Sequence, residues 1–269
     1  MAAPMPLFFA GAKGRRKFYG DFAVTYHPVV TDGEAREGRW LVLCDHASNF
    51  VPGFANGGCL GVAPEDMSRH IAYDPGAEGV SRALGAMLNG PAVLSRFSRL
   101  VIDPNRGEDD PTLIMQLYDG TIIPGNRGIS EIDAGERLRR CHRPYHDAIS
   151  RAAEARRAPV LISIHSFTPQ LRGRPPRPWQ IGVLYSTDRR LAHPLLRRLN
   201  AEPDLSVGDN QPYTGHLPGD TIARHGIGHG RPNVLIELRN DLIATEAQQK
   251  AWAARLAPIL SETLAEAGL

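Results

Sequence analysis

The stretch Val160–His165 reads VLISIH, an almost continuous apolar run that ends in a histidine. A run of this kind, without polar alternation, predicts a strand that is buried on both faces. Trp40–Cys44 (WLVLC) and Asn233–Leu238 (NVLIEL) have the same character. We predict further strands at Ala92–Ser95, Leu100–Ile102 and Gln180–Tyr185.

Longer helical patterns lie between these strands. They cover Gly76–Leu88, Ser130–Arg157, Arg190–Asn200 and Thr245–Ala267. Pro144 lacks an amide hydrogen and crowds the carbonyl one turn back, so it is expected to kink or divide the second of these helices. The alternation predicts an α/β fold with a central mixed, largely parallel sheet and helices on both faces.

Length and composition favour one domain over residues 1–269, since 42% of the residues are hydrophobic and supply one sizeable core. Residues 1–37 are expected to form an N-terminal approach segment. Residues 171–179 (LRGRPPRPW) are rich in proline, glycine and arginine and are predicted to be a mobile surface loop.

Charge and motif content exclude several classes of function. The formal net charge is +2, so neither nucleic acid nor an anionic membrane is indicated as a partner. The chain has no run of roughly 20 apolar residues that could cross a membrane. The phosphate-binding motif G-x-x-x-x-G-K-[ST] and the serine motif G-x-S-x-G are both absent. Three scattered cysteines without C-x-x-C spacing favour a reducing compartment, and the cytoplasm is the expected location.

Three polar residues lie at the predicted carboxyl ends of apolar strands. His46 follows WLVLC-D, His165 follows VLISI, and Glu237 lies inside NVLIEL. The carboxyl ends of strands in an open α/β sheet form the crevice where ligands bind, so these side chains should converge. Two neutral imidazoles and an oxygen ligand suit zinc with one position open for water, and an unligated glutamate beside it can act as base. The sequence therefore predicts a metal-dependent hydrolase site, although each residue alone could serve in packing.

A possible carboxylate-binding segment, Asp103 to Arg106, follows the predicted strand Leu100–Ile102. The Arg106 guanidinium can bind a carboxylate through two hydrogen bonds, and Asn105 can orient it or donate another. The same residues also form a good turn irrespective of function. Arg239 is a second candidate for binding a substrate carboxylate.

Six blocks of sequence, taken in order, resemble the N-formylglutamate amidohydrolase family between about Leu41 and Asp241. The blocks are Asp45–Asn49 with Pro52, Asp74–Ala77, Ser98–Arg106, His142–His146, His165–Phe167 and Glu237–Arg239. This family is related in fold to the zinc carboxypeptidases and aspartoacylases. The resemblance therefore implies a three-layer αβα domain with one zinc ion.

The resemblance also implies roles for individual residues. His46 and His165 match the two histidine ligands of the zinc ion. Asn105 and Arg106 match the pair that binds the substrate carboxylate. Glu237 matches the general base and acid.

The third metal ligand is left open by the resemblance. The wider superfamily places a glutamate three residues after the first histidine, and Asn49 occupies that position here. Because an amide oxygen is a weaker, neutral ligand, three alternatives remain. Asn49 ligates weakly, Asp74 supplies the carboxylate, or the site binds metal weakly.

Two further groups of histidines are expected near the site. His142 and His146 are four residues apart and share a helix face, a spacing that can hold a metal. Their context resembles the family's helix beside the site, which favours packing or support of the site. Residues 213–230 resemble the loop before the glutamate strand, and His225 is expected to contact substrate there.

The expected reaction is hydrolysis of the amide bond of N-formyl-L-glutamate or a similar N-acyl amino acid, with zinc as cofactor and a small molecule as the partner. Three alternatives stay open: another short peptide or N-acyl substrate, a non-catalytic ligand-binding member of the fold, and a metal-free hydrolase that uses Cys44 with His46. No feature of the sequence indicates the oligomeric state.

Overall fold

Seven strands form one mixed sheet in the computed structural model, which describes residues 26–269. The nine strands of the described residues, which include two outside this sheet, are β1 (Val29–Asp32), β2 (Trp40–Cys44), β3 (Ala92–Ser95), β4 (Leu117–Tyr118), β5 (Thr121–Ile122), β6 (Val160–Phe167), β7 (Ile181–Leu184), β8 (Val207–Asp209) and β9 (Asn233–Arg239). β4 and β5 form a separate hairpin, and the others are ordered β1-β3-β2-β6-β9-β7-β8. β3, β2, β6 and β9 are mutually parallel, whereas β1 and β7 run antiparallel to β3 and β9. The predicted mixed, largely parallel sheet is confirmed.

Helices cover both faces of this sheet. They are α1 (Pro64–Met67), α2 (Ala77–Met87), α3 (Glu131–Arg137), α4 (Arg143–Glu154), α5 (Ala192–Asn200), α6 (Thr221–His225) and α7 (Glu246–Glu266). Successive side chains of β2 point to opposite faces. Val42 packs in an apolar cluster with residues of α2, α5 and α7, whereas Leu41 and Leu43 pack in a second cluster with residues of α4 and α6. Two apolar layers on opposite sides of one sheet confirm the three-layer αβα arrangement.

The predicted strand Leu100–Ile102 is wrong. These residues are fully buried, but they lie in a turn. The side chain of Asn126 donates to the Leu100 carbonyl at 2.8 Å, and that of Arg137 donates to the Val101 carbonyl at 2.8 Å. Because side chains satisfy these carbonyls, the segment needs no neighbouring strand.

The expected N-terminal approach segment, residues 1–37, lies only partly within the described residues and stays a prediction. It contains β1, which pairs with β3 from Val29 to Asp32. Residues 1–25 lie outside the described residues, so one domain over residues 1–269 stays a prediction. The strands β4, β5 and β8 were not predicted, because each has only two or three residues and shows no sequence period.

The pattern Ser130–Arg157 is helical without a gap from Glu131 to Glu154, and the interruption expected from Pro144 is a wider π turn just before it. α3 ends at Arg137, a π turn covers Leu138–His142, and α4 then begins with Pro144 in its first turn. Residues 171–179 form no helix or strand between β6 and β7, and the mobile surface loop stays a prediction. Among the described helices, none is long and apolar enough to cross a membrane.

Candidate metal and substrate site

The three residues predicted at strand ends line one cavity of about 200 Å³. His46 follows β2, and His165 and Glu237 are paired in register in the neighbouring parallel strands β6 and β9. The ring centroids of His46 and His165 are 5.0 Å apart. All three side chains are buried. The parallel order of these strands therefore brings the three residues to one edge of the sheet.

Asp74 lies between the two imidazoles. Its Oδ2 is 3.2 Å from Nδ1 of His46 and 2.9 Å from Nδ1 of His165. One ligand atom from each of the three residues lies within 4.8 Å of the other two. His46, Asp74 and His165 could thus hold one metal ion through two nitrogens and a carboxylate.

The turn Asp74-Pro75-Gly76 fixes this carboxylate between the strand ends. The Asp74 N–H donates to the His46 carbonyl at 2.9 Å, and the Ser166 N–H donates to Asp74 Oδ2 at 3.2 Å. Gly76 has a φ of 83°, and a Cβ there would lie 2.2 Å from the carbonyl oxygen of Ile243. Only glycine fits this conformation and this close approach without strain.

The second nitrogen of each imidazole faces a buried carboxylate. Nε2 of His46 lies 2.7 Å from Asp103, and Nε2 of His165 lies 2.8 Å from Asp45. Metal-binding histidines commonly donate their other N–H to a carboxylate, which fixes the tautomer and the ring orientation. With Nε2–H donated in this way, the Nδ1 lone pairs are the ones available to a cation.

The balance of charge around the imidazoles also fits a divalent ion. Asp45, Asp74 and Asp103 contact the two rings, and Arg99 is the one cation among the described arginines and lysines that contacts these carboxylates. One negative charge remains unbalanced when His165 is protonated, and two remain when both imidazoles are neutral, as metal binding requires; an unbalanced charge in a buried site is costly without a partner. A divalent cation would supply the missing positive charge.

Hydrogen bonds keep the supporting carboxylates ionised. Burial alone would raise the pKa of Asp103, but the guanidinium of Arg99 and the imidazole of His46 outweigh burial and hold it well below its usual range. Burial likewise acts to raise the pKa of Asp45, and the hydrogen bond and charge of His165 outweigh it. Both groups therefore stay acceptors for the histidine N–H groups.

Glu237 is placed to exchange protons near the candidate metal site. It lines the cavity, and its buried Oε2 has no hydrogen-bond partner among the described residues. Burial raises its pKa to about 7, with the charge of His165 opposing this shift and that of Asp74 adding to it. A carboxyl group with this pKa can both take up and release a proton near neutral pH.

Asn105 and Arg106 line the same cavity. The Thr221 N–H donates to Oδ1 of Asn105 at 3.1 Å, which leaves the Nδ2 group of Asn105 as the donor available to a ligand. Arg106 donates from Nε to Thr112 and from Nη1 to the Asn105 carbonyl. Its Nη2 has no hydrogen-bond partner within the described part of the chain and remains available to a carboxylate.

Three predicted site residues lie away from this cavity. Asn49 is exposed and donates to the Met67 carbonyl at 2.9 Å, whereas Asp74 lies close enough to both imidazoles to serve as a third ligand. Arg239 pairs with Asp241 at 2.8 Å and is not among the residues that line the cavity. His225 is buried behind the site, where it contacts another histidine and does not line the cavity.

The expectation that His142 and His146 support the site agrees with their contacts. Their Nε2 atoms lie 3.0 Å from the carbonyls of Arg106 and Pro104. These two residues and His225 do not form a metal-binding group among the described residues, where His46, Asp74 and His165 are the group found.

Cys44 does not fit the metal-free alternative. It is fully buried and does not line the cavity. Burial, together with the charge of Asp74, holds the pKa of its thiol well above the ordinary value. A thiolate nucleophile needs a lowered pKa and access to substrate, so Cys44 is a packing residue of the core.

Sequence reasoning missed several residues of the site. Asp45 and Asp103 stood inside the quoted blocks without a role, although Asp45 adjoins a predicted ligand in the sequence. His70, Tyr118 and Tyr213 line the cavity but lie in segments with no periodic pattern. Only the folded chain brings these residues to the site.

Solved structures resemble this arrangement over most of the chain. The gene product Atu2144 from Agrobacterium tumefaciens is 35% identical and has a TM-score of 0.84, over 90% of this chain and 96% of its own. An N-formylglutamate amidohydrolase from Ralstonia eutropha JMP134 is 23% identical and has a TM-score of 0.65, over 87% of this chain and 98% of its own. The second likeness concerns the fold alone. No curated protein sequence matches the chain.

Fold and site together define an α/β protein with a candidate His-Asp-His metal site at the carboxyl edge of a mostly parallel sheet. The sequence matches the family model of N-formylglutamate amidohydrolase over residues 38–244. The chain therefore belongs to the N-formylglutamate amidohydrolase family, as its sequence blocks suggested.

Proposed function

We propose that the protein hydrolyses the amide bond of N-formyl-L-glutamate or a closely related N-acyl amino acid, with one divalent metal ion, zinc, held by His46, His165 and Asp74. The products are formate, or another acid, and the free amino acid. The three free cysteines of the chain are consistent with this reaction taking place in the cytoplasm.

One observation carries the proposal. Nδ1 of His46 and Nδ1 of His165 approach the same oxygen of Asp74, while their Nε2 atoms face Asp103 and Asp45. This donor set of two imidazoles and one carboxylate is typical of catalytic zinc sites, which keep a further position open for water or substrate.

The chain's own residues supply binding and proton transfer. Asn105 and Arg106 hold a substrate carboxylate, because an amide N–H and a guanidinium edge match its two oxygens. Glu237 takes the proton of the attacking water and later passes it to the leaving amine. A divalent ion, when bound, supplies Lewis-acid polarisation of the scissile carbonyl and lowers the pKa of the attacking water.

The carboxylate-binding pair favours an N-acyl amino acid over a neutral amide. A cavity of about 200 Å³ admits a small molecule, such as the N-formylglutamate that gives the family its name. A different acyl group or amino acid remains the alternative within the enzymes, because the site and not the fold decides substrate choice.

Metal analysis and two matched variants test the proposal. Purified protein should carry about one zinc per chain, and removal by a chelator should abolish release of formate from N-formyl-L-glutamate. Glu237→Gln should lower kcat by about 10²-fold or more while the zinc content stays unchanged. Glu154→Gln changes an exposed glutamate of α4 and should leave kcat as it is.

Two results would overturn the proposal. Full activity of Glu237→Gln would remove the assigned proton transfer. Binding of N-acyl amino acids without turnover by the zinc-loaded protein would favour a non-catalytic ligand-binding role.

A further inference from the structure

The turn that carries Asn105 and Arg106 belongs to no strand. Its carbonyl groups are instead bound by side chains from residues 126–146. Asn126 and Arg137 donate to the carbonyls of Leu100 and Val101 at its start. The sheet ladder therefore does not fix the orientation of the turn. These side-chain donors contribute to it, together with the Asp103 N–H bond to the Leu113 carbonyl at 2.8 Å and the Thr221 N–H bond to Oδ1 of Asn105 at 3.1 Å.

Two histidines bind the carbonyls on either side of Asn105. Nε2 of His146 lies 3.0 Å from the Pro104 carbonyl oxygen, and Nε2 of His142 lies 3.0 Å from the Arg106 carbonyl oxygen. A carbonyl oxygen can only accept, so both imidazoles donate Nε2–H. Hydrogen bonds from these two imidazoles thus hold the peptide units that carry the carboxylate-binding side chains.

His225 fixes the tautomer of His146. Nε2 of His225 lies 2.8 Å from Nδ1 of His146, and the two ring planes are inclined by only 21°, as an in-plane hydrogen bond between the rings requires. Because His146 donates through Nε2, its Nδ1 is the acceptor and Nε2–H of His225 is the donor. Burial lowers the pKa of His146 to about 2 and that of His225 to about 4, so both rings are neutral, as this pattern requires.

The π turn before α4 brings these donors to one side of the helix. In an α-helix, Arg137 and His142 would point about 140° apart, since five residues exceed one turn by that angle. The N–H of Arg143 instead donates to the Leu138 carbonyl, an i→i−5 bond of a π turn. Because a π turn contains more residues than an α-helical turn, side chains five residues apart point in more similar directions. Such turns often occur at functional sites.

We propose that His142 and His146 are positioning residues for substrate recognition, which hold the segment Pro104–Arg106 so that Asn105 and Arg106 meet the substrate carboxylate in a fixed geometry. His225 acts through His146. The inference rests on the proposed function, in which this pair binds that carboxylate. A displacement of about 1 Å in such a segment is enough to weaken binding strongly.

Substitutions at His142 test the inference with N-formyl-L-glutamate as substrate. His142→Phe replaces the imidazole with a ring of similar size that has no Nε2–H donor. His142→Asn also removes this hydrogen bond and adds no bulk, because the asparagine amide is too short to reach the Arg106 carbonyl. His142→Gln keeps an amide donor close to the Nε2 position. His193→Phe is the control, since His193 is exposed on α5.

The expected result is a change in KM with little change in kcat. His142→Phe and His142→Asn should raise KM about ten-fold or more and leave kcat within about three-fold, since uniform binding is lost. His142→Gln should stay within about three-fold of the unchanged protein. In an Arg106→Ala background, His142→Asn should change KM less than about two-fold, because both act on one interaction.

Hydrogen–deuterium exchange separates this inference from the proposed function. Peptides that cover residues 103–110 should exchange faster in His142→Asn than in His142→Gln or His193→Phe, whether or not the protein turns over substrate. Unchanged exchange, a fall in kcat at constant KM, or effects of His142→Asn and Arg106→Ala that multiply would each overturn the inference. A lack of turnover by the unchanged protein would reject the proposed function and, with it, the role of these histidines in substrate recognition. Faster exchange in His142→Asn would then still show that His142 holds the segment Pro104–Arg106.

Discussion

The imidazole of His46 donates its Nε2–H to Oδ1 of Asp103 at 2.7 Å, and both side chains are almost fully buried. Arg99 binds the other oxygen of the same carboxylate through Nε and Nη2. The carboxylate thus sits between a permanent cation and a candidate metal ligand, where it sets the orientation and basicity of the ring.

Asp103→Asn should weaken zinc binding about 10- to 100-fold, because removal of a supporting carboxylate lowers the basicity of the ligating imidazole. The measurement is competition for zinc with a chromophoric chelator. Asp147→Asn, at an exposed position of α4, is the matched control and should bind zinc as before. Equal affinities for the two variants would show that Asp103 has no role in metal binding.

Zinc binding should release protons. Burial opposes protonation of His165, but hydrogen bonds to Asp45 and Asp74 outweigh it and hold its pKa well above the ordinary value. The metal-free ring therefore carries a proton at neutral pH, which a cation on Nδ1 must displace. Affinity for zinc should rise with pH, about ten-fold per pH unit for each proton released.

Titration calorimetry in two buffers of different ionisation enthalpy measures this release directly. At least one proton per zinc is expected at pH 7. A binding enthalpy that is the same in both buffers would contradict the assignment of His165 as a ligand.

The fold was predicted well where the strands are long and buried. β2, β3, β6, β7 and β9 all lie within or extend the predicted runs, because a continuous apolar run identifies a strand that is covered on both faces. Leu100–Ile102 shows the limit of this reasoning. Its apolar residues are buried in a turn whose carbonyls are bound by distant side chains, and no local pattern reveals such partners.

The site was predicted in part for the same physical reason. His46, His165 and Glu237 share one edge because parallel strands align their carboxyl ends. The resemblance left Asn49 and Asp74 open as the third ligand, because a position in the sequence does not show that the segment of Asn49 leaves the strand and turns toward Met67. Asp74 reaches the site through a turn that is bonded to two strand ends, a relation that only the tertiary structure contains.

The pH dependence of kcat/KM should show an acidic limb that belongs to Glu237. The group must be deprotonated to act as base, so activity should fall as pH drops below its pKa. Burial raises the pKa of Glu237 to about 7, and a cation on the neighbouring histidines would lower it, so the limb should lie at pH 7 or below.

Asp220 offers the control for this profile. It also lines the cavity, and burial raises its pKa to about 6. Asp220→Asn should keep the acidic limb of the unchanged protein, since an asparagine can still cap α6. Loss of the limb in this variant would assign it to Asp220.

Arg106→Lys should weaken recognition of the substrate carboxylate. Lysine is a point charge and cannot present the planar pair of donors that a guanidinium offers. KM for N-formyl-L-glutamate should rise about 10- to 100-fold, in line with the loss of a charged hydrogen bond of about 1.5–3 kcal/mol. Arg127→Lys, on a surface loop outside the cavity lining, should leave KM unchanged.

The α-amide of N-formyl-L-glutamate, in which a neutral amide replaces the α-carboxylate, is the comparison substrate for this variant. The unchanged protein should prefer the carboxylate strongly, and Arg106→Lys should lose most of that preference. A preference that survives in the variant would mean that another group binds the carboxylate.

The buried histidines should make stability depend on pH in a defined direction. Burial lowers the pKa of His146 to about 2, whereas an unfolded histidine titrates near 6.5. Below about pH 6.5 the unfolded chain binds a proton that the folded ring does not. Stability from this residue is therefore complete above pH 6.5 and is lost as pH falls, by about 1.4 kcal/mol per pH unit.

Urea unfolding of the metal-free protein at pH 7.5 and pH 5.0 measures the effect, with a chelator present so that metal release does not contribute. His146→Gln cannot take up this proton yet keeps a donor near the Pro104 carbonyl. Its free energy of unfolding should fall about 2 kcal/mol less between the two pH values than that of the unchanged protein. His193→Gln, at an exposed site, should follow the unchanged protein. If His146→Gln also follows it, His146 is protonated in the fold, and the donor pattern that joins it to His225 and Pro104 cannot hold.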